Sequence, residues 1–336
     1  MPKVGNKDYT PLSQTVKQAV SEAMQTKKKE EDKELSSFIA IEPEWSIDEI
    51  VLDSTTQNSL LDAIEFCKHR QKIVEDWNLK RFLKGSGGCT GINMYGKPGT
   101  GKSIAAEAIA KASEKKLIKV DYSEIQNERW GGTEKKLTEL FETAKQLDAV
   151  IFFDEADGLL GKRQSGGANS ETNNQIKSHL LTLLDSSNVI VVFATNLFEN
   201  YDRAFFRRIL FHISFPLPDV QQLKSLWEFH LGDENGIENV VPRTKDFSFE
   251  ELANDSLGLS GGDIKNLTLK SCIRLVSRNI PELNNNMLRE EIIEYKQSLA
   301  DMNIQKSSGK RVEILEGKDK EEAQKLFEKQ TEQNNS

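Results

Sequence analysis

Gly96-Lys97-Pro98-Gly99-Thr100-Gly101-Lys102-Ser103 decides the fold of this chain. It follows the short apolar run Ile92-Asn93-Met94-Tyr95 and leads directly into Ile104-Ala105-Ala106-Glu107-Ala108-Ile109-Ala110. A strand, a Gly-rich turn and a helix N-terminus in that order make a phosphate cradle. Glycines let backbone N–H groups converge on an anion, the helix dipole adds partial positive charge, Lys102 reaches the outer phosphates, and the Ser103 hydroxyl suits Mg²⁺. A Gly-rich loop that merely turned the chain would call for no acidic strand end downstream, yet Ala149-Val150-Ile151-Phe152-Phe153-Asp154-Glu155 supplies one. A continuous apolar run suits a strand buried on both faces of a parallel sheet, and its carboxyl end is where α/β sheets bind ligands. Asp154 then belongs to the Mg²⁺ shell, and Glu155 orients or deprotonates the attacking water. Two adjacent buried carboxylates without a cation would be costly. The ligand implied is a nucleoside triphosphate.

The rest of the composition narrows the class. With 336 residues the chain can form two domains plus tails. Charged residues make up 29% and the formal net charge is -8, so the chain as a whole lacks an electrostatic footprint for nucleic acid. Cys67, Cys89 and Cys272 are far apart and show neither a paired framework nor metal-ligand spacing. His69, His179, His212 and His230 form no cluster and no His-Glu-x-x-His zinc site, so a fused metalloprotease is not expected. No apolar stretch approaches the roughly twenty residues that span a bilayer, and residues near the N-terminus lack a signal-peptide core. These features predict a cytoplasmic protein with reduced thiols.

Along the chain, residues 1–36 hold the mixed-charge run Lys27-Lys28-Lys29-Glu30-Glu31-Asp32-Lys33-Glu34 and read as a charged arm. Residues 37–218 read as the nucleotide-binding α/β domain. Its first helix is marked by Leu60, Leu61, Ile64 and Cys67, and Leu117-Ile118-Lys119-Val120 forms a strand. Leu137, Leu140, Phe141, Ala144 and Leu147 mark a helix, which completes a βαβαβ unit. A polar loop from about Lys162 to Asn174 precedes a helix at Ile176, Leu180, Leu183 and Leu184, and Val189-Ile190-Val191-Val192-Phe193-Ala194 adds a parallel strand. Past Pro216-Leu217-Pro218, helical spacing takes over at Val220, Leu223, Leu226 and Trp227, then at Ile264, Leu267, Leu275 and Val276, giving a helical domain over 219–302. Ser260 and Asp263 resemble a capping box that starts a helix at Gly261. Residues 303–336 read as a charged tail.

In this order the motifs resemble the AAA clade of the AAA+ ATPases, the group containing the katanin and spastin severing enzymes and the membrane-anchored AAA proteases. The resemblance covers roughly Trp45 to Ser277. It implies a P-loop αβα core with a small helical lid, ATP and Mg²⁺ as ligands, and nucleotide contacts at Gly96, Pro98, Gly99, Thr100, Gly101, Lys102, Ser103 and Ile104. Asn196, ending Ala194-Thr195-Asn196, matches the sensor that holds the hydrolytic water. Asp202-Arg203-Ala204-Phe205-Phe206-Arg207-Arg208 resembles the second region of homology, whose arginines act as fingers in the neighbouring subunit's site. A planar guanidinium offers bidentate donors to the transferring phosphoryl group. The resemblance therefore implies a homo-hexamer with Arg207 and Arg208 acting in trans.

Leu259-Ser260-Gly261-Gly262-Asp263-Ile264 resembles the lid segment, which lays Gly261 and Gly262 against the adenosine, with Ile50 and Val51 as adenine contacts. Glu128-Arg129-Trp130-Gly131-Gly132 matches the axial pore loop, one residue short of the usual form, so Trp130, flanked by Arg129 and Gly131, would grip a translocating polypeptide. The function this implies is ATP-driven remodelling, unfolding or disassembly of a protein substrate. A nucleic-acid loader or initiator would need a basic face or a helix-turn-helix, and neither is legible here. An ATP-binding switch with little turnover sits poorly with Glu155, Asn196, Arg207 and Arg208 all present.

Overall fold

Five parallel strands, β1 (Thr90–Gly96), β2 (Lys116–Asp121), β3 (Ala149–Asp154), β4 (Ile190–Thr195) and β5 (Phe211–Phe215), form one sheet in the order β2-β3-β4-β1-β5. The computed structural model describes residues 38–77, 79, 88–122, 125, 132–162, 168–196, 201–232 and 241–314. The N-terminal arm, the segment Arg129-Trp130-Gly131 and residues 315–336 of the tail lie outside these. The chain divides into two units, the first made of Met1–Ile50, Ser54–Gly96 and Gly101–Phe215, the second of Val51–Asp53, Lys97–Thr100 and Pro216–Ser336.

In the first unit the sheet is flanked by α1 (Ser54–Gln71), α2 (Lys102–Ala112), α3 (Gly132–Gln146), α4 (Asp157–Leu160), α5 (Ala168–Ser186) and α6 (Arg203–Phe206). Alternation along each strand sends neighbouring side chains to opposite faces. Ile151 and Phe153 of β3 join Val191 and Phe193 of β4 in a core shared with Leu137, Leu140 and Phe141 of α3 and Ile176 and Leu180 of α5. The intervening Val150, Phe152 and Val192 are buried as well, on the opposite face. There α2 touches β2, β3 and β4, and α1 touches β5, to which the Thr56 hydroxyl donates at the Ser214 carbonyl, 2.9 Å away. Burial on both faces explains why these strands read as unbroken apolar runs.

The structure differs from the sequence reading at several points. β5 was not foreseen: Phe211-His212-Ile213-Ser214-Phe215 alternates apolar and polar residues, and pairing with β1 on one side makes it a strand. The helix α5 begins at Ala168, inside the stretch read as a polar loop over 162–174. Once its apolar face is anchored at Ile176 and Leu180, each upstream residue adds a hydrogen bond at little cost, so helix propagates through weak formers. Leu61 and Leu147 fall at helical spacing yet remain exposed, Leu147 just past the end of α3.

The second unit is helical, with α7 (Val220–Leu231), α8 (Phe249–Asp255), α9 (Gly261–Ser277) and α10 (Asn285–Ile314). Leu223, Trp227, Leu252, Ile264, Leu267, Leu288 and Ile292 form its core. The indole N–H of buried Trp227 donates to the Ser256 hydroxyl at 3.0 Å, which removes the cost of burying that donor. Between α9 and α10, fully buried Glu291 accepts from the Ser271 hydroxyl at 2.8 Å and pairs with Arg274 at 3.0 Å. Each start is capped locally: Asp219 and Gln222 bond reciprocally at α7, and Ser260 and Asp263 do so at α9. Val276, one of the residues at helical spacing, is 80% exposed.

Candidate functional site

β1, β4 and β3 lie side by side, so Gly96, Thr195 and Asp154 bring three strand ends to one edge of the sheet. Strand order reverses beside β1, whose neighbours are β4 and β5, and this is where an open α/β sheet leaves a crevice for a ligand. Out of that crevice rises α2. Its N-cap is Gly101 at φ +100°, a left-handed conformation that L side chains rarely adopt. Glycine there contributes no capping side chain, so the N–H groups of the first turn face the crevice without an internal acceptor. An anion is the natural partner of such a terminus when a cation stands beside it.

Lys102 is that cation. It is only 7% exposed, and its Nζ donates to the Gly96 carbonyl at 2.8 Å and to Asn196 Oδ1 at 3.0 Å. Burial pulls its pKa below the usual lysine value, while Asp154 and Asp157 oppose the shift. Asn196, the predicted sensor, is thus joined to the phosphate-loop lysine. Its backbone N–H donates to Asp157 at 3.1 Å, and the Thr195 hydroxyl bonds the same carboxylate. Asp157 was missed by the sequence reading. Its position two residues after Glu155 was the available signal, but only the fold brings α4 under the end of β4.

The Ser103 hydroxyl donates to Asp154 Oδ2 at 3.2 Å. Two oxygen donors side by side, next to a phosphate cradle, fit Mg²⁺, which takes one or two protein oxygens and completes its octahedron with water and phosphate oxygens. Among the described residues no group of three or more His, Cys, Asp or Glu could hold a metal on its own, so a closed protein cage of such ligands is not the alternative there. Glu155 follows at φ +48° with its N–H donating to Asp154 Oδ1 at 2.9 Å. The sequence reading buried both carboxylates, but Asp154 is half-buried and Glu155 exposed. The left-handed turn lifts Glu155 off the strand, where a carboxylate keeps its solvation and stands free to meet water. Such a conformation at a non-glycine residue costs about 1–3 kcal/mol and persists where the surroundings enforce it.

The two arginines separate. Arg208 Nε donates to both oxygens of Asp185 at 3.0 Å, and its Nη1 donates to the Ala204 carbonyl at 3.2 Å. Arg207 closes α6 as its C-cap, is exposed, and its guanidinium has no hydrogen bond or ion pair among the described residues.

Ile50 lies within the first unit, 4.0 Å from where a Cβ on Gly101 would stand. Ile104 is half-buried on α2. Within the second unit, the Gly262 N–H donates to the Gly99 carbonyl at 2.9 Å, and a side chain at Gly99, φ +76°, would collide with the Ser260 hydroxyl. Gly99, Gly261 and Gly262 are thereby brought together. Pro98 is exposed, Thr100 donates to the Lys97 carbonyl at 2.9 Å, and Val51 is half-buried.

A parallel sheet with a glycine-rich loop after β1, a buried lysine at the helix start and an aspartate at the end of β3 defines the P-loop nucleotide-binding class. Residues 92–217 match the model of the ATPase family associated with various cellular activities (AAA). That segment is an AAA module, as the motif order led us to expect. The chain is 33% identical over 216 residues to a Cell division cycle protein 48 homolog of Archaeoglobus fulgidus, covering 62% of this chain and 27% of the relative. It is 33% identical over 196 residues to Cell division protein C of Sulfolobus acidocaldarius, covering 55% and 50%. It is 34% identical over 191 residues to a 26S proteasome regulatory subunit 4 homolog of Dictyostelium discoideum, covering 54% and 42%. The chain thus spans between 27% and 50% of the length of these relatives. No helix among the described residues is long and apolar enough to cross a membrane.

Proposed function

We propose that the protein hydrolyses ATP with Mg²⁺ and couples the reaction to remodelling of a protein substrate as a homo-hexamer. The observation that carries the chemistry is the cluster at the strand ends, where Lys102 meets Asn196 at 3.0 Å and Ser103 meets Asp154 at 3.2 Å. ATP is the substrate, and bound Mg²⁺ would supply charge neutralisation at its phosphates, with Ser103 and Asp154 as its protein ligands. The first-turn N–H groups of α2 and the Lys102 ammonium bind and orient the phosphates. Glu155 takes a proton from the attacking water, which the Asn196 side chain helps to orient. Desolvation of Lys102 strengthens its pull on negative charge that develops during transfer. Arg207, exposed and with its guanidinium unpaired among the described residues, is the finger offered to a neighbouring copy, while Arg208 anchors the turn.

The remodelling part of the reading is supported by the motif order and by relatives such as the proteasome regulatory subunit homolog. It assigns Trp130, with Arg129 and Gly131, to gripping an extended polypeptide. The test is ATP turnover of Glu155→Gln beside the unaltered protein, with and without an unfolded protein or DNA. Glu155→Gln is expected to bind ATP while turnover falls at least about a hundredfold, the lower end of the range for removing a general base. The unaltered protein is expected to respond to the polypeptide and not to DNA. Near-normal turnover of the variant removes Glu155 from its role, and stimulation by DNA alone transfers the reading to a nucleic-acid loader.

A further inference from the structure

The turn that presents Arg207 is gripped from β5 by a histidine that the ATPase chemistry does not use. The His212 Nε2 lies 3.1 Å from the Phe206 carbonyl. A carbonyl only accepts, so Nε2 carries the hydrogen and donates. The same imidazole stacks on the Phe206 ring, centroids 4.3 Å apart and planes 10° from parallel. Tyr201 closes the group edge-on, 5.9 Å from the His212 ring and 6.3 Å from the Phe206 ring. Phe206 is 48% exposed, so burial alone gives its ring little reason to hold one orientation, and the stack supplies it.

The carbonyl that His212 bonds belongs to the peptide group whose nitrogen is Arg207. Fixing that peptide plane sets the direction in which the Cα–Cβ bond of Arg207 leaves the turn. His212 itself is immobile at its base, since it sits in register opposite Asn93 of β1 in the sheet. Arg208 is held separately by Asp185. One arginine of the pair is therefore tied down by an ion pair, while the other follows directly on the peptide that the histidine bonds.

We propose that His212 is a positioning residue for Arg207, holding the Phe206 peptide and ring so that the Arg207 guanidinium is pre-oriented toward a second copy of this chain. The inference rests on the reading of Arg207 as a finger acting in trans.

Mixed assemblies test it. Arg207→Ala keeps an intact pocket but offers no finger, and Glu155→Gln offers a finger but has no working pocket. Equimolar mixing is expected to restore turnover that neither variant shows alone. His212→Phe, which retains a ring and loses the donor, is then added to one partner at a time. In the finger-donating Glu155→Gln chain it is expected to cut the restored rate about tenfold, the worth of one well-aligned hydrogen bond. In the pocket-donating Arg207→Ala chain it is expected to cost less than about twofold, within the error of additive surface changes. His212→Gln, whose amide can reach the same carbonyl, is expected to recover most of the loss. If His212→Phe does not fold, as read by its thermal melt, His212→Asn replaces it, since its shorter amide cannot reach the carbonyl. Equal losses in both placements, or none in either, overturn the role of His212 while leaving the trans reading intact. Failure of the Arg207→Ala and Glu155→Gln mixture to turn over at all overturns the trans reading, and the inference with it.

Discussion

At Asp157 a single carboxylate organises the end of β4. It accepts from the Thr195 hydroxyl and from the Asn196 backbone, and so fixes the residue whose side chain meets Lys102. Hydrogen bonds to a charged group are worth about 1.5–3 kcal/mol. Asp157→Ala is therefore expected to lower the turnover number by about ten- to a hundredfold while ATP affinity changes little, because the phosphate loop and Lys102 remain. Steady-state kinetics beside an equilibrium nucleotide titration separates the two; an equal loss of affinity would argue that Asp157 holds the loop rather than the sensor. His212 gives a pH dependence of defined sign. Burial holds its pKa below the ordinary 6.5, against bonding at Phe206 and Ile209, and the titratable ring packed on it, Tyr201, is itself pushed upward by burial. The unfolded chain then takes up the proton first as pH falls, so the stability present above 6.5 is lost as pH drops from there toward the lower folded value. In His212→Asn this part of the acid-side fall in melting temperature is expected to vanish, and an unchanged slope between the two proteins rules the histidine out as its source.

Among the elements, α9 shows how a local signal and a tertiary demand coincide. Ser260 accepts from the Asp263 N–H and Asp263 accepts from the Ser260 N–H, so the start of the helix was readable from four residues. The same Ser260 hydroxyl stands where a side chain on Gly99 would fall, which no local pattern announces. Ser260→Ala is expected to cost about 1 kcal/mol of stability as a lost N-cap, read as a lower midpoint in urea. A loss below a few tenths of a kcal/mol would mean that Asp263 alone satisfies the helix end. β5 and the early start of α5 mark the opposite case. Five residues with alternating polarity become a strand only because β1 offers an unpaired edge, and Ala168 to Asn174 become helix only because the turns after them are packed. The long apolar strands β3 and β4 were legible for the converse reason: burial on both faces leaves no room for polar residues.

For the whole molecule, the proposed binding of ATP and Mg²⁺ predicts a stabilising load on the folded state alone. At a hundred times its dissociation constant a ligand adds about 2.7 kcal/mol. The unaltered protein is expected to gain about that much on addition of Mg·ATP and to lose it when EDTA removes the metal. Lys102→Ala is expected to show none of this gain, while the ligand-free protein is no less stable than the original, because the change removes a desolvated charge. Thermal shift with and without nucleotide reads both. A gain that persists in Lys102→Ala would put the nucleotide somewhere other than the crevice beside β1.

The amino-acid order by itself determined that a phosphate-binding loop joins a strand to a helix, that an acidic pair ends another buried strand, and that a sheet-forming part is followed by a helical one. Those are short-range facts: loop glycines, apolar runs and caps act within a few residues of one another, so linear spacing records them. Tertiary structure alone decided that Asp157 holds Asn196, that Glu155 is lifted out of the strand, and that Arg208 is spent on Asp185 while the Arg207 guanidinium is unpaired among the described residues, on a turn that His212 bonds at Phe206. Each of these pairs residues far apart in the chain or a backbone angle imposed by neighbours, and a hydrogen bond that depends on position in space leaves no periodic trace along the chain.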